Sequence, residues 1–235
     1  MKYAIIGAGG TGGCLGFFLE KAGKETVVIP ILNIYGTGGR LQKKLPELTV
    51  SDGCIYVSAN ILEPGVILQH GKILRVVFGA RKPEEETEKM REVAKDMASD
   101  EMEVVLSENI RRDAMVKFSY VSPIGAAGLY CNAVAADFQR EGEQREMFKA
   151  LIREITALSH AMGIEFEEDL VERNLKILAS LSPEATTSMQ RDVMEGKRSE
   201  MDGLVYEVVR MGREYKVSMP QYEKAAACFR EQGIL

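Results

Sequence analysis

The sequence predicts an α/β region followed by an all-helical one, and three observations carry that prediction. The first twelve residues, MKYAIIGAGGTG, place Gly7, Gly9 and Gly12 directly after a short apolar run. β-rich runs then crowd residues 26–106. Beyond Ser107 the strand signals stop and helical periodicity takes over. The expected organisation is therefore a dinucleotide-binding domain at 1–107 and a helical domain at 108–235.

The opening stretch reads as the strand, glycine turn and helix of a Rossmann-like domain. Gly7 permits the tight turn, Gly9 lets backbone approach a pyrophosphate, and Gly12 lets helix and strand pack closely. Leu15, Phe17, Phe18 and Leu19 give the following helix an apolar face. Its exposed N–H groups and dipole would attract phosphates. Gly7, Ala8, Gly9, Gly10, Thr11 and Gly12 are thus the expected cofactor loop, against the alternative of a glycine-rich turn that binds nothing.

Composition narrows the classes of function. A chain of 235 residues, 46% hydrophobic and 28% charged, is that of an ordinary globular protein. Its net charge of −5 argues against a general nucleic-acid binder. Met1 leads straight into a strand, so no cleaved leader is expected. Four scattered cysteines and two histidines predict reduced thiols, a cytoplasmic setting and no zinc site. Residues 114–136 hold one charge, Lys117, but Ser119, Ser122, Pro123, Gly125, Gly128 and Asn132 break the run. A membrane span needs about twenty predominantly apolar residues. A buried helix pair with small residues at close contacts fits better.

Along the chain, residues 26–31 (TVVIPI) form a second parallel strand ending at Asn33. A short helix follows at about 40–45, stopped by Pro46. Residues 52–80 hold three β-rich runs parted by Glu63-Pro64-Gly65 and Gly71-Lys72, which reads as an antiparallel meander. A surface helix at 81–99 and a strand at 102–106 complete the first region. Helices are expected at 145–162, 168–181, 187–195 and 199–215, with a last one opened by Pro220. Gly163 and Gly196 act as stops.

Four residues stand out chemically. A lone lysine in an uncharged run must snorkel, pair or titrate downward, and desolvation makes Lys117 a usable acid. Its alternative is a stem packed on the core with the amine in water. Ser188 and Glu200 flank the Gly196 break and could hold a small polyfunctional substrate. Local capping by Ser199, Glu200 and Asp202 is the competing account. Asn33 ends a parallel strand, where ligands of open α/β sheets lie, but asparagine is also an ordinary turn residue.

Several motifs in order resemble the ketopantoate reductases (2-dehydropantoate 2-reductases). They are GAGGTG, LNIYGTGGRL, DGCIYVSANILEPGVI, the lysine of RRDAMVKF, and TTSMQRDVMEGKRSEMD. The resemblance implies NADPH-dependent reduction of a 2-oxo acid in a cleft between a Rossmann domain and a helical domain. It puts Lys117 on the general acid, Glu200 on the carboxylate that holds the substrate hydroxyl, and Ser188 on the substrate-carboxylate contact. Asn33 falls near nicotinamide and substrate. The chain is much shorter than a typical member, and TVVIPILN corresponds to a later strand of the family. Strands that would carry the adenosine-reading residue are missing, which truncates the parallel sheet. Weaker NADP binding and a homodimer that covers the exposed edge are expected. The residues after Lys117 lack the family's frequent asparagines, and Ser119 or Ser122 is expected to substitute. The competing expectation is a non-catalytic descendant that kept the fold and lost the cofactor.

Overall fold

The computed structural model describes residues 27–234, with the backbone only at Asn60 and Ile61. The glycine loop, Gly7 to Gly12, and the helix after it lie outside the described residues. The chain forms two compact units, Met1–Ala114 and Met115–Leu235. The first is mixed α/β and the second is all-helical. Ser107, where the sequence places the boundary, is the last residue before the turn into the helix that crosses the division.

In the first unit, β1 (Val27–Val28) pairs in parallel with β2 (Thr49–Val50). Helix α1 (Thr37–Lys44) connects them. It starts earlier than its apolar pattern suggests, because Gly38 and Gly39 are taken into it. Gly38 donates its N–H to Asp52 Oδ1 at 2.7 Å, so a side chain from two residues past β2 caps the helix from outside. Burial pushes the Asp52 carboxyl up, against the opposing pull of the Gly38 N–H and of Arg81 and Arg111.

β3 (Asp52–Glu63) and β4 (Val66–Gly79) form one long antiparallel hairpin, not a three-stranded meander. Gly71-Lys72 is a bulge inside β4. Val57 pairs with Leu74 but Ala59 with Gln69, so the intervening residues loop out and the strand resumes against the same partner. Gly71 supplies the positive φ, 75°, that the sequence shares with a reversing turn. β5 (Glu103–Leu106) then adds to β4 in parallel.

Side chains alternate across this sheet as strand periodicity requires. Val76 and Phe78 face α2 (Glu88–Met97), packing with Met90 and Val93. Val77 and Cys54 face the other way, onto Ile110. The expected helix over 81–99 is divided. A 3-10 turn at Pro83–Glu85 comes first, and Thr87 caps α2 by accepting from Met90 N. A capping threonine has extended backbone, which interrupts a continuous helix.

The second unit is built on α3 (Ile110–Cys131), a single helix where two were expected. Pro123 lies inside it and cannot donate to the carbonyl of Ser119. Asn174 supplies the missing donor: its Nδ2 reaches Ser119 O at 2.8 Å and Ser119 Oγ at 3.1 Å. The helix therefore continues through the proline. Asn174→Ala leaves that buried carbonyl without its partner. The expected cost is about 1–3 kcal/mol, read from the urea midpoint.

Around α3 stand α4 (Ala135–Gln139), α5 (Glu143–Ala161) and α6 (Leu170–Ala179). They are followed by α7 (Ser188–Met194), α8 (Glu207–Glu214) and α9 (Pro220–Glu231). Phe148, Leu151, Ile152, Ile155 and Leu158 are all fully buried, the inward stripe of α5 that the sequence spacing predicts. Glu154 on α5 accepts the backbone N–H groups of Gln221 and Tyr222 at 2.7 and 3.1 Å, capping α9. Burial pushes its carboxyl up, and the two N–H groups oppose that shift. No helix among the described residues is long and apolar enough to cross a membrane.

Candidate active site

Helix α3 is the platform for three of the four predicted residues. Lys117 is half-buried on its first half. At 100° per residue, Val121, Ile124 and Gly128 continue the stripe that starts at Lys117.

The second half of α3 receives α7. Thr187 caps α7 in a reciprocal box: Thr187 Oγ1 accepts from Gln190 N at 3.1 Å, and Thr187 N donates to Gln190 Oε1 at 2.9 Å. Gln190 Nε2 then donates to Ala133 O at 2.9 Å. Two glycines of α3 make room for this contact. A Cβ on Gly128 would stand 2.6 Å from the Gln190 amide, and one on Gly125 2.8 Å from Met189 Cε. Ser188 is the first residue of α7 and is exposed, held between a cap and two buried anchors.

Glu200 is placed from the same helix. Ser122 Oγ, fully buried, donates to Leu204 O at 2.6 Å and is 2.5 Å from Tyr222 Oη. Leu204 N donates to Glu200 O, and Ser199 Oγ accepts from Met201 N. Directly after Glu200 the helix widens into a π turn, Asp202–Tyr206, closed by Glu207 N on Asp202 O. Such turns are rare and frequent at functional sites. Asp202 itself is held by Arg210 through hydrogen bonds of 2.9 and 3.0 Å. Glu200 is half-buried.

Lys117, Ser188 and Glu200 thus stand on three segments of the second unit tied to α3. Asn33 belongs to the first unit. It follows β1 at its carboxyl end, in the loop before α1, and is half-buried.

The expectation that Ser119 or Ser122 substitutes for the missing asparagines is overturned. Both hydroxyls are buried and used in packing. Ser119 donates to Val116 O and accepts from Asn174, and Ser122 joins Leu204 and Tyr222. The role of Gln190, which ties α7 to α3, was missed in the sequence, although its place three residues after Thr187 is the signature of a capping box.

Residues 109–232 match the family described as "Ketopantoate reductase PanE/ApbA C terminal", more than half of the chain. The chain belongs to that family. It is also similar to "Uncharacterized oxidoreductase YkpB" of Bacillus subtilis (strain 168), 24% identical over 205 residues. That match covers 87% of this chain and 67% of the relative. A "2-dehydropantoate 2-reductase" of Mesorhizobium japonicum is 26% identical over 207 residues, covering 86% of this chain and 61% of the relative. The chain therefore spans about two thirds or less of the length of these relatives. In fold it is similar to the crystal structure of 2-dehydropantoate 2-reductase from Methylococcus capsulatus. There the TM-score is 0.79 at 21% identity, covering 98% of this chain and 72% of the other. These relatives are oxidoreductases by name, and the chain shares their fold.

Proposed function

We propose that this chain reduces ketopantoate, or a similar small 2-oxo acid, to the 2-hydroxy acid with NADPH. The observation that carries the reading is the attachment of Lys117, Ser188 and Glu200 to one helix in a chain of this family. The cofactor assignment is supported by the parallel pair β1–β2, with Asn33 beyond the carboxyl end of β1, where dinucleotide folds hold their ligand. Gly7 to Gly12 would hold the pyrophosphate and Asn33 the nicotinamide end. When bound, NADPH supplies the hydride.

The chain's own groups do the rest in this reading. Ser188 Oγ donates to the substrate carboxylate, and Glu200 accepts from the substrate hydroxyl. Lys117 gives its proton to the carbonyl oxygen as C2 is reduced, and takes one back from water. Balance is kept: 2-oxo acid, NADPH and one proton give the 2-hydroxy acid and NADP. Exposed Val66, Ile67 and Ile73 on the hairpin support a homodimer, and the expected setting is the cytoplasm.

An NADPH titration followed by cofactor fluorescence tests this. The chain has no Trp, so its own emission interferes little. Saturable micromolar binding is expected. The short span relative to the curated relatives favours one other reading, a descendant that no longer binds cofactor. No binding at millimolar NADPH would establish that reading and remove the reductase.

A further inference from the structure

The segment that carries Glu200 is held by a run of buried hydrogen bonds that the reaction steps do not use. Met201, Leu204 and Val205 are buried around the π turn Asp202–Tyr206. A carbonyl in such surroundings needs a donor. Leu204 O has one in Ser122 Oγ, at 2.6 Å and from 82 residues away in sequence.

The direction of the run follows from counting protons. Ser122 has one hydroxyl proton and Leu204 O can only accept, so that proton points at the π turn. The 2.5 Å contact between Ser122 Oγ and Tyr222 Oη is therefore donated by the phenol. Burial pushes the Tyr222 phenol up, which keeps its proton in place. Tyr222 is fixed in turn, because Glu154 of α5 accepts the N–H groups of Gln221 and Tyr222. The bonds thus lead from α9 through α3 to the π turn, and there Leu204 N donates to Glu200 O at 2.9 Å.

We propose that Ser122 is a positioning residue for Glu200: its hydroxyl, oriented by Tyr222, fixes the π turn and so sets where the Glu200 carboxylate meets the substrate hydroxyl. The role rests on the reading of Glu200 as the contact to that hydroxyl. A buried serine that only fills space would affect every substrate alike. A serine that aims Glu200 affects only a substrate whose hydroxyl Glu200 holds.

Steady-state kinetics with two substrates test this: ketopantoate, and the 2-oxo acid in which its hydroxymethyl group is a methyl group. Ser122→Ala is expected to lower kcat/KM for ketopantoate by about ten- to a hundred-fold, the scale of a misplaced contact, and to leave the methyl analogue within about two-fold. Tyr222→Phe keeps the bond from Ser122 to Leu204. It should lower the ketopantoate value about three-fold, as for one neutral hydrogen bond, with the analogue unchanged. Equal losses on both substrates, or no loss on either, overturn the proposal. If Ser122→Ala does not fold by circular dichroism, Tyr222→Phe decides on the same two substrates. Amide hydrogen exchange is the second measurement. Ser122→Ala should speed exchange at Leu204 and Glu207, whose N–H groups hold the turn. Unchanged exchange in an active chain removes the positioning role alone, whereas a parent chain that reduces neither acid removes the reading of Glu200 and the role with it.

Discussion

Lys117→Ala is expected to lower kcat for 2-oxo acid reduction by about 10²–10⁴-fold, the usual contribution of a positioned general acid. KM should change much less, because Ser188 and Glu200 are left to hold the substrate. Lys117 is half-buried on α3, whose neighbouring positions are apolar and tightly packed, with Met115 and Phe118 buried. Lys117→Met keeps the aliphatic stem, so it separates the loss of a proton donor from the loss of packing. Both variants should unfold in urea near the parent and both should be slow. Lys117→Arg keeps the charge but holds its proton too tightly to give it up, and should be slow as well. A Lys117→Ala chain with the parent's kcat would sink the mechanism while leaving cofactor binding untouched.

Gly38→Ala is expected to destabilise the first unit by about 3 kcal/mol or more, at the upper end of what overpacking costs. A Cβ there would stand 2.1 Å from Ser51 O and 2.4 Å from Asp52 Oδ1. The first of these is backbone and cannot rotate away. Moving α1 outward would also break the Gly38–Asp52 hydrogen bond and leave a buried carboxylate without its N–H. Gly39→Ala is the matched control. Its Cβ meets only Arg81 Nη1, at 3.7 Å, so alanine's better helix propensity should stabilise by up to about 1 kcal/mol. Urea unfolding followed by circular dichroism reads both. Equal midpoints for the two alanine variants would show that α1 does not sit on Ser51 as described.

The tie between Arg81 and α1 had no signature in the sequence. Arg81 reaches the helix only because β4 ends next to it, which lets its Nη2 donate to Gln42 Oε1. The roles of Ser119 and Ser122 were equally hidden. A serine two or five residues past a candidate lysine is polar in the sequence, and nothing there shows that each hydroxyl is already bonded inside the unit.

The sequence by itself determined the features that rest on neighbours a few residues away. The buried stripe of α5 follows from helical spacing. The stops at Gly163 and Gly196, with φ of 73° and 65°, follow from local backbone geometry. The order of α/β region and helical region follows from periodicity, and family membership from motifs kept in order. Tertiary structure alone decided where a local signal has two outcomes. Pro123 stops a helix unless a distant donor takes its orphaned carbonyl, and Asn174 does so from 55 residues away in sequence. Gly71 reverses a strand unless the chain returns to the same partner, and β3 offers that partner on both sides of the bulge. In each case the backbone group freed by the local signal had to be satisfied, and only the folded chain brought its partner within reach.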